Sequence, residues 1–452
     1  EIKKTADELR QRLREYEGEP SNFSSPVRIL KLLLASLISK DREEAAGLFK
    51  VTEEGARIYR GMGFWEPITE SDVTVLAGAF DGILRETIYR PKLKIEEPKY
   101  IHVDLKFRRE LSAALLLDLD GQDETFFQES GFLGTCAFRD GVFALSDTNQ
   151  EPEIYEHSPD FRCRTFFDTD ILPHFDSPHA PVFEQAVKDW FIREGAEETA
   201  RLRQILLEWI GVAALGQSTR MAKGLWCLGD GDNGKSVLLN AITGIRGRFK
   251  GIFPEGASAS SCPTSWDLPG LIGMQSRQAL AGVMVNSVGE VSGNSFKDTS
   301  AYKSILAGDR VNCREAFSAM ASRAFNCAHI YGLNNLPEAR KDGSDGFFRR
   351  SLFLPFSRNF STQPTPIKWA PDKLSAAIAN ERGPILAMAL KAGCEALSRG
   401  SYTKSNVSDN LLVEFKRTNP FHEFIATLHP GDLRNKKKDW VKLTTLWVEF
   451  KE

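Results

Sequence analysis

Eight consecutive residues, Gly229-Asp230-Gly231-Asp232-Asn233-Gly234-Lys235-Ser236, follow the pattern G-x-x-x-x-G-K-[ST] of a phosphate loop. Glycines let the backbone come close to a triphosphate, and N–H groups at the start of the next helix can hold its anionic oxygens. In such a loop Lys235 would reach the β- and γ-phosphates and the Ser236 hydroxyl would bind Mg²⁺. Val237 carries the cradle into the helix. The plain alternative is a Gly-rich turn with no ligand, which would not require a strand before it and a helix after it.

Both flanking elements are readable. Leu225-Trp226-Cys227-Leu228 is an apolar run that predicts a short buried strand, and residues 237–242 predict helix, with no breaker until Gly244. Hydrolysis would further need a carboxylate on a neighbouring strand. The apolar stretch 281–287 leads to Glu290, without a paired Asp-Glu. A third strand, 328–333, ends at Asn334-Asn335-Leu336-Pro337, where an amide at the strand tip could contact a γ-phosphate or orient water. Taken singly, a solvated glutamate and an ordinary turn are the bland readings of these two. Arg349 and Arg350 precede the strand 351–356; they are either a solvated loop or guanidiniums held at a subunit edge to stabilise charge in a neighbour's site.

In this order the segments resemble the superfamily 3 helicase domain of the phage, plasmid and large-DNA-virus primase-helicase family. The matching points are the G-x-G-x-N-G-K-S loop, Glu290 after a strand, Lys303 with the turn Ala307-Gly308-Asp309, and the hairpin arginine Arg314. Asn334 with Pro337 and Asp345 with Arg349 and Arg350 complete the series. The resemblance covers roughly residues 50–450, strongest over 218–358. It implies that Gly229, Asp230, Gly231, Asp232, Asn233, Gly234, Lys235, Ser236 and Val237 bind ATP and Mg²⁺. Glu290 would be the Walker B-type acid, a metal ligand with Ser236, and Asn334 the sensor. Arg349 would be the arginine finger, with Arg350 as the alternative. It further implies a homo-oligomeric, commonly hexameric ring on single-stranded or forked DNA, with a primase or polymerase as a possible partner.

Three departures stand out. Asp230 and Asp232 add negative charge beside a phosphate site, so their side chains must point away. Leu333 stands where Thr is common. The hairpin tip Ala316-Phe317-Ser318-Ala319-Met320 lacks the usual lysine. Phe317 could stack on a base, worth about 1–3 kcal/mol, with charge from Arg310, Arg314 or Arg323, or it could pack on a neighbouring subunit.

Composition bounds these readings. A chain of 452 residues, 42 % hydrophobic and 26 % charged, is expected to fold as two or three globular domains. No apolar run approaches a membrane span, and the charged start Glu1-Ile2-Lys3-Lys4 is no signal peptide, so a cytoplasmic protein is expected, in a host cell if phage-encoded. Seven scattered cysteines without a C-x-x-C pair fit free buried thiols rather than zinc. A net charge of −3 excludes a uniformly basic coat but not a basic channel.

The expected fold class is α/β. A mostly helical N-terminal domain (1–217) precedes a P-loop, AAA+-like ATPase domain (218–365) and a small helical C-terminal region (366–452). Helices are expected at 5–16, 27–38, 43–49, 72–86, 100–117, 183–193, 197–215, 375–396 (broken near Gly383-Pro384) and 440–450. Residues 56–66 predict a hairpin, and 135–155 predict strands. The segment 398–408 predicts a linker, and Lys436-Lys437-Lys438 with Trp440 and Trp447 resembles the start of a winged helix. Two other functions fit the residues: an ATP-gated DNA-binding scaffold that does not unwind, and the helicase part of a primase-polymerase. For the latter, the only metal motif, Asp118-Leu119-Asp120, reads better as a helix end.

Overall fold

The computed structural model describes residues 152–254, 273–291, 299–314, 320–336, 345–363 and 370–418, and shorter segments between 49 and 146. The chain divides into two compact units, residues 1–144 with 154–166, and 145–153 with 167–452.

The first unit is built from short antiparallel strands. β1 (Phe49–Thr52), β2 (Gly55–Tyr59) and β3 (Trp65–Pro67) form one sheet in that order. Its second turn carries Gly61 and Gly63 at positive φ, and a Cβ on Gly63 would strike the side chains of His157 and Val142. β4 (Leu84–Arg90) and β5 (Ile95–Tyr100) make a separate hairpin. β6 (Phe132–Phe138), β7 (Gly141–Ser146), β8 (Glu153–Tyr155) and β9 (Phe166–Phe167) pair in the order β8-β7-β6-β9. Buried Tyr59, Trp65 and Phe126 form one core cluster, and Ala137, Val142, Ala144, Phe161 and Cys163 another.

These observations correct two expectations. The described part of residues 49–167 is dominated by strands, so the mostly helical reading of 1–217 fails there, and 84–90 is a strand where the end of a helix was expected. The compact units also do not part at 217/218, because the helices before the loop 229–234 belong to the second unit. The hairpin at 56–66 and the strands within 135–155 agree with expectation. The helices expected at 5–16, 27–38 and 440–450, most of 43–49, 72–86 and 100–117, Asp118 with Asp120, and the basic stretch 436–438 lie outside the described residues.

In the second unit, α1 (Leu172–Phe175), α2 (Pro181–Phe191), α3 (Ala196–Ala214) and α4 (Ser218–Met221) lead into strand β10 (Gly224–Leu228). Then follow α5 (Lys235–Thr243), the small β11 (Gly244–Ile245) and β12 (Phe249–Lys250), α6 (Met274–Gln278), β13 (Val285–Val288) and α7 (Ser300–Ala307). The hairpin β14 (Val311–Cys313) and β15 (Ala321–Arg323) precedes β16 (Ala328–Leu333), α8 (Asp345–Phe348) and β17 (Ser351–Pro355). α9 (Pro371–Asn380), α10 (Arg382–Arg399) and α11 (Asn406–Arg417) close the described chain.

The central sheet is parallel, ordered β13-β16-β10-β17, and almost wholly buried, as near-continuous apolar strands require. One face packs Trp226, Val288, Tyr331, Leu333 and Phe353 against Tyr302 and Ile305 of α7 and Phe415 of α11. Beside the sheet, α3 and α10 cross at touching backbones. A Cβ on Gly211 would lie 1.8 Å from the Ala389 carbonyl oxygen, and one on Gly393 would strike Gly211.

α10 resumes at Arg382 after a break at Glu381, so Pro384 falls in the first helical turn, where its missing N–H costs little. The Glu381 carboxylate accepts N–H bonds from Val182 (3.0 Å) and Phe183 (2.9 Å), capping α2, whose own N-cap Ala180 has no side-chain acceptor. Glu208, fully buried on α3, is satisfied by Arg399 (2.8 Å) and by the backbone N–H and hydroxyl of Thr403 (2.7 Å each). The expected linker 398–408 is therefore pinned over 399–403, and α11 starts at Asn406, N-capped by the Ser405 hydroxyl.

His329, in the middle of β16, is fully buried. The Asn286 amide (3.2 Å) and the Tyr331 hydroxyl (2.9 Å) both meet its Nδ1, which must stay unprotonated to accept from the amide. Burial pushes its pKa down from 6.5 to about 3. Below pH 6.5 the unfolded chain takes up a proton that the folded chain refuses. This contribution to stability is therefore complete above pH 6.5 and declines as pH falls toward 3, by up to about 1.4 kcal/mol per pH unit. Urea unfolding at pH 7.5 and 5.5 should show wild type losing about 1 kcal/mol more than His329→Gln over that interval. Equal losses would show that His329 does not titrate this way.

Candidate functional site

The loop 229–234 connects the carboxyl end of β10 to α5, as expected from the residues. Gly234 turns the chain into the helix at φ 91°, and a Cβ there would collide with the Trp190 indole at 2.3 Å. A Cβ on Gly229 would lie 2.2 Å from the Phe356 carbonyl oxygen. Both positions need glycine because neighbouring groups already touch the backbone. Asn233 is buried; its amide donates to the carbonyls of Asp230 and, at 3.1 Å, Phe356.

Lys235, only 6 % exposed, points its ammonium back over the loop. It donates to the carbonyl of Gly229, to that of Asp230 (2.9 Å) and to Asn233 Oδ1 (3.1 Å). Desolvation lowers its pKa, against the opposing pull of Cys227, Asp230 and Glu290. Burial pushes the neighbouring Cys227 thiol up to about 12. Ser236 and Val237 occupy the first turn of α5, Ser236 exposed and Val237 buried. Asp230 and Asp232 are both exposed, and the Asp232 carboxylate accepts the Ser361 hydroxyl.

Strand register brings the remaining polar groups to the same edge. Leu228 pairs with Leu333, so Asn334 emerges beside the loop; Val288 pairs with Tyr331, so Glu290 emerges beside Asn334. Asn334 Nδ2 donates to Glu290 Oε1 at 2.6 Å. Gly332 allows this: a Cβ on it would sit 2.1 Å from the Gly289 carbonyl oxygen, while its own carbonyl accepts the Val291 N–H at 3.0 Å. Lys235, Glu290 and Asn334, far apart in sequence, thus converge at one edge of the sheet.

A cleft of about 430 Å³ opens there between the loop, Asn334 with Asn335, and the chain leaving β17. Part of its wall was not expected from sequence: Arg193, beyond α2, and Ser357, Arg358 and Asn359, beyond β17. Arg358 is nearly buried and pairs with Asp189 of α2 at 2.8 Å. Position alone could have flagged 357–359, since ligands of parallel sheets bind beyond the carboxyl ends of the strands. Nothing local marks Arg193, whose place depends on how α2 packs.

Arg349 and Arg350 lie elsewhere. Gly224, at the amino end of β10, pairs with Ser351, so both arginines sit at the sheet edge opposite the loop. Arg349 is exposed, its backbone carbonyl held by Lys223 Nζ at 2.7 Å. Arg350 is half-buried, donates to the Gly346 carbonyl at 2.6 Å and has its pKa lowered by burial and by Arg349. The β14–β15 hairpin exists, and Arg310 spans it to the Ser322 carbonyl at 2.6 Å. Arg314 is exposed at the end of β14, Arg323 is half-buried in β15, and Phe317 lies outside the described residues.

Among the described residues no group of three or more His, Cys, Asp or Glu could hold a metal alone. Mg²⁺ bound largely through phosphate oxygens and water needs only one or two protein oxygens, which Ser236 and Glu290 could supply. Six of the seven cysteines are free and buried; Cys262 lies outside the described residues. Among the described residues no helix is long and apolar enough to cross a membrane.

No protein-family model matches the chain, and no curated protein matches it in sequence. Among solved structures it is similar to the apo form of the NrS-1 C-terminal region, with a TM-score of 0.37 and 10 % identity over 62 % of this chain and 72 % of that one. A second apo structure of that region, spanning its residues 305–718, gives a TM-score of 0.34 and 10 % identity over 68 % and 80 %.

Proposed function

We propose that this chain is an ATP-driven motor of the superfamily 3 helicase type, moving on single-stranded or forked DNA during replication of a phage, plasmid or other mobile element. The observation that carries this reading is the convergence of Lys235, Glu290 and Asn334 at one sheet edge while Arg349 stands exposed at the other. In this reading the loop N–H groups and Lys235 hold the triphosphate. Asn334 fixes the Glu290 carboxylate, which takes a proton from the attacking water, and a guanidinium neutralises charge on the transferring phosphoryl group. Bound Mg²⁺, held by Ser236 and Glu290, supplies charge neutralisation on the phosphate oxygens.

In this reading the opposite edges call for an assembly. A site on one edge that uses an arginine from the other edge of the next copy is a head-to-tail contact, and such contacts close into rings when the rotation permits. A homo-oligomeric ring, hexameric by the resemblance, follows from this reading. Arg310, Arg314 and Arg323 of the hairpin would supply charge facing DNA.

ATP hydrolysis and forked-duplex strand displacement by wild type and Lys235→Ala test the proposal. Wild type should hydrolyse ATP faster with DNA and separate strands. Lys235→Ala should be roughly a hundredfold slower, the scale of losing one preorganised charge-stabilising donor. Equal hydrolysis by both would remove Lys235 from the site. DNA-stimulated hydrolysis without strand separation would favour the ATP-gated scaffold.

A further inference from the structure

We propose that Ser361 is a positioning residue that draws the Asp232 carboxylate away from the phosphate cradle. This rests on the nucleotide-binding reading of the loop. The loop carries a carboxylate where an anion would bind, and Asp232 adopts φ 56°, in the left-handed region that few non-glycine residues enter. Something must hold it so, and the chain after β17 does. The Phe360 N–H donates to the Asp232 carbonyl at 2.8 Å, and the Ser361 hydroxyl donates to Asp232 Oδ2.

Asn359 shapes that strap. Its Oδ1 accepts the N–H groups of Ser361 (3.0 Å) and Thr362 (3.1 Å), making the turn that aims the hydroxyl, while its Nδ2 donates to the Gly231 carbonyl at 3.2 Å. Arg358 anchors the strap to α2 through Asp189 at 2.8 Å and lies over the Phe360 ring at 5.1 Å. The bonds that 359–361 donate to the loop end on Gly231 and Asp232, one side of it. Released from Ser361, the carboxylate is free to turn toward the cradle, where it repels a triphosphate by like charge. Held, it leaves the loop dipoles and Lys235 to set the field.

Binding of a fluorescent ATP analogue and steady-state hydrolysis of ATP test this in the full chain. Ser361→Ala should weaken binding and raise KM about tenfold, with kcat at saturating ATP unchanged. Ser361→Thr, which keeps the hydroxyl, should bind as wild type does. Asp232→Asn combined with Ser361→Ala should return affinity to near the wild-type value, because Asn tolerates the same backbone without the charge. Unchanged affinity in Ser361→Ala, or a double variant as weak as Ser361→Ala, overturns the proposal. Lys235→Ala separates the two levels. If it abolishes analogue binding while Ser361→Ala has no effect, only the strap fails; if it binds as wild type does, the nucleotide reading fails as well.

Discussion

Arg349→Ala should slow ATP turnover about a thousandfold while leaving each protomer's affinity for ATP unchanged, the lower end of the range for an arginine supplied in trans. In the proposed reading, geometry favours Arg349 over Arg350. The Arg350 guanidinium is half-buried and bonded to its own chain at Gly346, beside Tyr302 and Asp309, so its removal would disturb the fold around it. Arg349 is exposed, and Lys223 holds its carbonyl, which fixes the backbone and leaves the side chain outward. It cannot serve its own loop, because register places the two at opposite ends of β10. Mixing decides the matter. Equimolar Lys235→Ala and Arg349→Ala proteins, each strongly slowed alone, should regain hydrolysis, since some interfaces then pair an intact loop with an intact arginine. A mixture as slow as its components would exclude an arginine shared between subunits.

What the sequence made legible was local. The strand–loop–helix could be read because a strand of four apolar residues, a fixed glycine–lysine spacing and an unbroken helix all fall within eighteen residues, 225–242. Glu290 and Asn334 were readable one by one as polar residues ending apolar strands. Their 2.6 Å bond was not, because it depends on β16 lying between β13 and β10 and on Gly332 admitting the Gly289 backbone.

The misreadings have the same origin. Residues 84–90 sit in a hairpin whose partner lies at 95–100, and cross-strand pairing there overrides a helix-compatible pattern. Gly383-Pro384 marked a helix break correctly but two residues late, since proline is tolerated just inside a helix start. Arg193 and Arg358, the latter paired with Asp189 of α2, reach the cleft only through the packing of α2 against the chain after β17, for which the sequence carries no spacing rule.

Glu290→Gln keeps the size of the side chain and an oxygen that can accept from Asn334, but it can neither take a proton nor carry charge. ATP binding should persist, because Lys235 and the loop are unchanged, while hydrolysis should fall about a thousandfold, within the range for losing a positioned base. The Asn334 bond makes a second outcome informative. Asn334→Ala frees Glu290 without discharging it, so it should slow hydrolysis far less than Glu290→Gln does, by about tenfold for lost orientation. Single-turnover phosphate release and affinity for a fluorescent ATP analogue separate the chemical step from binding. If Glu290→Gln hydrolyses within tenfold of wild type, the proton goes to another group, and the pairing of Glu290 with Asn334 is structural only.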